Sequence, residues 1–136
     1  MNGFSAIDIM LNPHDLTEIL GQANTGGVHS TLLVNPHGAL VAFSGYGDNA
    51  VRVKATISSN IWSAYEHSRH NAIDDDSLHC LIMSCQTGNV AIHHAGSSGL
   101  LLCMFADKTV GHGMLKAKIA AMAKFLNGPL NTIVVS

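Results

Sequence analysis

Two strand-like stretches of this chain do not alternate: Leu78–Cys85, with Leu78, Cys80, Leu81, Ile82 and Met83 apolar, and Leu100 through Phe105. Each has the length of a strand and is bounded by turn residues. Gln86-Thr87-Gly88 follows the first, and Ala95-Gly96-Ser97-Ser98-Gly99 precedes the second. A strand with one wet face alternates apolar and polar residues, whereas these two require cover on both sides. Short turns connect them to their neighbours, so the pairing is antiparallel. An antiparallel sheet covered on both faces needs helices above and below it, which constrains the chain to a three-layer α-β-α sandwich.

The remaining sequence supplies those layers. Asn12-Pro13 is a helix start, with Asn as cap and Pro in the first turn. Leu16, Ile19 and Leu20 then share one face, and Asn24-Thr25-Gly26-Gly27 stops the helix. Val28–Asn35 and Ala39–Ser44 read as strands joined at Pro36-His37-Gly38, and Asn89–His94 reads as a further strand. Gly111-His112-Gly113 opens a last helix striped by Leu115, Ile119, Met122 and Leu126, which Gly128-Pro129 is expected to end. The predicted order is helix, two strands, helix, three strands, helix. The fold class is α/β: a five-stranded antiparallel sheet with the central helix on one face and the N- and C-terminal helices on the other. Residues 1–12 read as an N-terminal extension and 13–136 as one domain, with no internal repeat or linker.

The central helix lies within Gly45–Tyr65 and carries two apolar stripes. Val53, Ile57, Ile61 and Ala64 share one face, and Val51, Ala55, Ser58, Trp62 and Tyr65 another. A helix on the outside of a small domain needs one stripe only. The expectation is that the Val53–Ala64 stripe packs on the home sheet. Val51, Ala55, Ser58, Ser59, Trp62 and Tyr65 would then meet a partner helix, joined by Leu81 and Met83 of the neighbouring third strand. Composition agrees with a surface buried in a complex: charged residues are 12% of the chain, against about 25% in typical domains. The net charge of −2 gives no basic footprint and argues against a nucleic-acid partner.

No motif supplies a catalytic set. Gly45-Tyr46-Gly47-Asp48-Asn49-Ala50 matches a dinucleotide fingerprint, but the strand before it belongs to a hairpin and the following acid, Glu66, lies on the helix itself. The bland reading is a tight turn with Asp48 or Asn49 as helix cap. His79, His93, His94, Cys80, Cys85 and Cys103 lack zinc spacing, and Cys80 and Cys85 should face opposite sides of a strand. They read as structural, reduced thiols and half-exposed imidazoles. Asp74-Asp75-Asp76 reads as a solvated loop rather than a cation site. No metal, cofactor or enzymatic activity is expected. The N-terminus shows no signal peptide, and the longest apolar run, Leu100–Ala106, is too short to span a bilayer.

Several stretches together resemble the roadblock (dynein light chain) family. They are Gln22-Ala23-Asn24-Thr25-Gly26-Gly27-Val28, Ser44-Gly45-Tyr46-Gly47-Asp48, the Ser59-Asn60-Ile61-Trp62 core of the central helix, Val90-Ala91-Ile92, Leu100-Leu101-Leu102-Cys103-Met104, and Thr109 through Lys118. The likeness runs from about Pro13 to the end and is greatest to the Ragulator branch of the family. It departs at residues 1–12, in the His93–Gly99 loop and between Glu66 and His79. The resemblance implies a roadblock/profilin-like fold and a non-enzymatic scaffold. Such a subunit pairs with a second roadblock protein, a MAPK scaffold subunit, beside other Ragulator subunits. A lipidated partner holds the complex on the cytoplasmic face of late endosomes or lysosomes, where it supports MAPK signalling and, through Rag GTPases, mTOR signalling. The alternative is a homodimeric roadblock module that regulates a small GTPase or binds a small ligand.

Overall fold

The computed structural model describes residues 13–45, 51–70, 80–86, 88–95 and 99–133. Helix α1 (Pro13–Gly21) leads into strands β1 (Val28–Val34) and β2 (Leu40–Gly45). Helix α2 (Val51–His70) follows, then β3 (Cys80–Cys85), β4 (Gly88–Ala95), β5 (Leu100–Ala106) and α3 (His112–Ile133). The strands form one antiparallel sheet in the order β2-β1-β5-β4-β3. The predicted architecture is therefore the observed one.

The period-two geometry of a strand explains the unalternating sequences. On one face of the sheet Leu33, Ala91, Leu102 and Met104 pack with Leu16 and Leu20 of α1 and with Leu115, Ile119 and Leu126 of α3. On the other, Leu32, Val34, Ile92, Leu101 and Cys103 pack beneath α2. Successive residues of β1 and β5 thus enter different cores, and both cores are apolar. Strand β3 departs from the expectation. Cys80 and Ile82 face the α1/α3 core and Leu81 faces the α2 core, yet all three stay half-buried. Its apolar run is covered incompletely because α2 lies over β1 and β5, away from β3.

Polar contacts fix the turn that follows α1. Thr31 Oγ1 donates to Asn24 Oδ1 at 2.8 Å, and Asn24 Nδ2 donates to Ser44 Oγ at 3.3 Å, tying the turn to both β1 and β2. Asn89 Nδ2 donates to the Val110 carbonyl at 2.7 Å, holding the connection into α3. That helix runs on through Gly128-Pro129 to Ile133 rather than ending there. Pro129 has no N–H to donate, so the continuation forgoes one helical hydrogen bond, and the first part of α3 is already anchored by Leu115, Ile119 and Leu126.

Candidate partner interface

Helix α2 presents the reverse of the expected faces. Ala55, Ser58, Ser59 and Trp62 are buried against the home sheet, Trp62 to 3% exposure, whereas Val53 is 57% and Ile57 51% exposed. Proximity is the physical reason. Ala55 and the two serines let the helix backbone approach the sheet where a β-branched stripe would hold it off. Gly38, in the β1–β2 turn, comes close enough that a Cβ there would lie 3.6 Å from the Ser59 Cβ. Ser58 hydrogen-bonds the buried Cys103 thiol, and no buried polar side chain among the described residues lacks a partner. Trp62 fills the space left farther along the helix, its ring edge-on to His94 at 4.8 Å between centroids. His94 Nε2 in turn lies 3.7 Å from Glu66 Oε2.

The small residues that read as room for a partner helix are therefore room for the chain's own sheet. Of the predicted interface residues, Ala55, Ser58, Ser59 and Trp62 are not available to a partner. Val51 and Leu81 are half-buried and pack on the α2 core, Met83 is half-buried, and Tyr65 is exposed. Spacing alone missed Val53 and Ile57 as surface positions. The signal that distinguishes the faces is side-chain size, since a helix lies close to a sheet along its small residues.

Beside α2 the uncovered part of the sheet forms a groove of about 550 Å³. Ile57 and Ile61 make one wall, and Met83, Val90 and Phe105 make the floor, with Lys54, Cys85 and Asn89 supplying polar groups. The Lys54 ammonium stands 5.1 Å from the Phe105 ring centroid, a cation–π contact that keeps the lysine stem along the apolar floor. The groove runs out to β3, whose outer edge has no strand beside it among the described residues. Such an edge, with exposed Ile57 across the groove from Met83, can take both a strand and an apolar helix face from another domain.

Cys80 faces the α1/α3 core and Cys85 lines the groove on the other side of the sheet, as their spacing predicts. Burial pushes the Cys103 thiol up to about 12, against the lowering effect of its bond to Ser58. Burial also raises Cys80, opposed by the charge of Lys116. Such thiols are poor nucleophiles. Among the described residues no three His, Cys, Asp or Glu side chains are grouped to hold a metal. Gly45 ends an antiparallel hairpin rather than a parallel β-α-β unit, which removes the topology a dinucleotide site requires. Residues 46–50, His79 and Asp74–Asp76 lie outside the described residues. No described helix is long and apolar enough to cross a membrane.

The Roadblock/LC7 domain model matches residues 15–105. The chain belongs to the Roadblock/LC7 family. A Caenorhabditis elegans relative described as "Ragulator complex protein LAMTOR2 homolog" is 31% identical over 126 residues, covering 91% of this chain and 96% of that protein. Among solved structures, Myxococcus xanthus MglB superposes with a TM-score of 0.79 at 12% identity, covering 93% of this chain and 95% of MglB. A Roadblock/LC7 domain from Streptomyces avermitilis gives 0.75 at 13% identity, covering 88% and 98% respectively. Profilin II of Acanthamoeba castellanii gives 0.56 at 13% identity over 82% of this chain and 94% of its own. These solved structures share the roadblock architecture described above, and profilin shares its general form.

Proposed function

We propose that this roadblock protein is a non-enzymatic adaptor subunit that pairs with a second roadblock domain in a Ragulator-like complex. Pairing uses the side of α2 that carries exposed Val53 and Ile57 and half-buried Ile61, Tyr65, and the edge of β3 with Leu81 and Met83. The observation that carries this reading is the uncovered groove: two large aliphatic side chains and an unpaired strand edge border one concave apolar surface. A partner helix laid on it completes the cover that β3 lacks. The name of the C. elegans relative supports assignment to a Ragulator-type assembly. On that reading the partner is a MAPK scaffold subunit, the complex sits on late endosomes or lysosomes through a lipidated subunit, and it serves Rag GTPases and MAPK and mTOR signalling.

The test is analytical ultracentrifugation of the chain alone and mixed with a roadblock-type MAPK scaffold protein. A one-to-one heterodimer that Met83→Arg and Ile57→Asp abolish, with circular dichroism unchanged, is the expected result. A stable homodimer that ignores the added partner replaces the heterodimer with the homodimeric alternative. A heterodimer indifferent to both substitutions removes the groove as the interface.

A further inference from the structure

The floor of the groove beside α2 has a direction. Phe105 pairs with Val90, and Val90 with Met83, so the three side chains form one row across β5, β4 and β3. At about 4.8 Å between strands, the row is about 10 Å long. Ile57 and Ile61 wall it along α2. The two basic residues of the lining, Lys54 and His29, stand at one end of the row. Lys54 Nζ lies 5.1 Å from the Phe105 ring centroid. His29 falls in the register break of β1, between the Val28–Ala106 and Ser30–Phe105 pairs. The other end is Met83, on the outermost strand.

Charge and polarity select what fits this trough. Its lining contains no carboxylate. Asp107, next in sequence to Ala106, lines a separate polar recess with Asn24 and Thr25. The Ser58 hydroxyl is committed to the Cys103 thiol, and Asn89 Nδ2 to the Val110 carbonyl. What remains is an apolar channel with a lysine ammonium and an imidazole at one end. Its volume of about 550 Å³ lies within the range of small-ligand sites, about 300–1,000 Å³. A sugar or nucleotide would leave polar groups unpaired against Val90 and Met83, and a cation would meet Lys54.

We propose that the groove of the unpaired chain binds a linear monocarboxylate, a fatty acid of roughly eight to twelve carbons, whose extended chain spans the row. The carboxylate sits between Lys54 and His29, where a charge-assisted hydrogen bond is available, and the chain runs over Phe105 and Val90 to Met83. The surface is the one assigned above to pairing, so ligand and partner compete for it. The ligand site itself rests on this chain alone and not on the partner.

Isothermal titration calorimetry of the full-length chain with decanoate, kept below its micelle concentration, tests this. Decanoate should bind saturably at one site, octanoate and decanol severalfold more weakly, and decyltrimethylammonium at least tenfold more weakly. Lys54→Met, which keeps an apolar stem over Phe105, should weaken decanoate at least tenfold and leave decanol unchanged. Met83→Trp, which fills the far end of the row, should weaken both severalfold. Both variants should keep the wild-type circular dichroism, because Lys54 and Met83 are only half-buried. Equal binding of decanoate and decyltrimethylammonium overturns the proposal, as does decanoate binding that neither substitution changes. An absence of decanoate binding overturns it too, and leaves the pairing to its own sedimentation test. Sedimentation with a roadblock-type partner separates the two readings. Decanoate that binds through Lys54 and displaces the partner joins both to the groove. Decanoate that binds through Lys54 beside an unaffected heterodimer keeps the ligand and moves the pairing elsewhere. If the chain alone is a homodimer that excludes decanoate at every concentration, a second copy occupies the groove and the proposal falls.

Discussion

Replacing Trp62 by alanine distinguishes the two possible settings of α2. In the structure the indole is 3% exposed and packed with Leu32, Val34, Ile92 and Leu101 in one core. Truncation removes the transfer energy of the ring and leaves a void under a helix whose neighbouring residues, Ala55, Ser58 and Ser59, are too small to fill it. Core Trp or Phe to Ala changes amount to about 3–5 kcal/mol, and the edge-on contact with His94 contributes about 0.5–1.5 kcal/mol within that figure. Against a total stability of about 5–15 kcal/mol for a domain, the variant should be close to unfolding, with Tm lowered by at least about 8 °C. Ile57→Ala, at a position 51% exposed, should change monomer stability by less than about 1 kcal/mol. Urea unfolding followed by tryptophan-independent far-UV circular dichroism measures both. It should be run at several protein concentrations, because association stabilises any domain that dimerises. If Trp62→Ala left the unfolding midpoint of the dilute monomer unchanged while weakening association with a second roadblock domain, the assignment of faces would be refuted.

Other outcomes follow from single contacts. Asn24→Leu should destabilise the fold by about 1–3 kcal/mol, since it orphans the buried Thr31 hydroxyl; Asn24→Asp, which keeps an acceptor, should lose less in the same melt. Cys103 holds its proton in the folded chain to about pH 12, above its ordinary value of 9.0. The folded state therefore binds more protons than the unfolded state between those values, and stability should fall as pH rises through that window, by at most about 1.4 kcal/mol per pH unit. Urea midpoints of wild type and Cys103→Ala between pH 8 and 10.5 check this: the variant should show the shallower decline. Thiol labelling with a disulfide reagent should modify exposed Cys85 first and Cys103 only on unfolding. Gly27→Ala places a Cβ 2.5 Å from Val110 Cγ2 at a residue with φ of +99°, and should lower the thermal midpoint more than Gly111→Ala, where the added methyl group meets nothing within 4 Å.

How far the sequence reaches differs by element. The sheet and its two covered faces are legible because β5 reads Leu-Leu-Leu-Cys-Met without a polar break, a pattern that only burial on both sides permits. The α1 and α3 cores are legible because each helix has a spaced leucine or isoleucine stripe that the structure buries. The orientation of α2 is not legible from apolar periodicity, because both of its faces are apolar. The home face is marked by serine and alanine, whose small volume sets the distance between helix and sheet, and the free face by β-branched residues. The interface prediction failed at Ala55, Ser58, Ser59 and Trp62 for that one reason. Leu81 and Met83 lie on the α2 side of β3 with the groove, a placement that follows from strand alternation alone and does not depend on the helix above.

The strand order β2-β1-β5-β4-β3 has a consequence for how the chain reaches this state. Two local hairpins, β1–β2 and β3–β4, lie at the two ends of the sheet, and β5 joins them. Leu33 pairs with Leu102 in that junction, a closure across about seventy residues that must form before most of the apolar surface is hidden. Until the last strand emerges from the ribosome, the inner edge of β1 is an open template with Leu32, Leu33 and Val34 on it. Synthesis of the stretch between the end of β2 at Gly45 and the end of β5 at Ala106 thus sets the time during which the β1–β2 hairpin is vulnerable to pairing with the wrong strand.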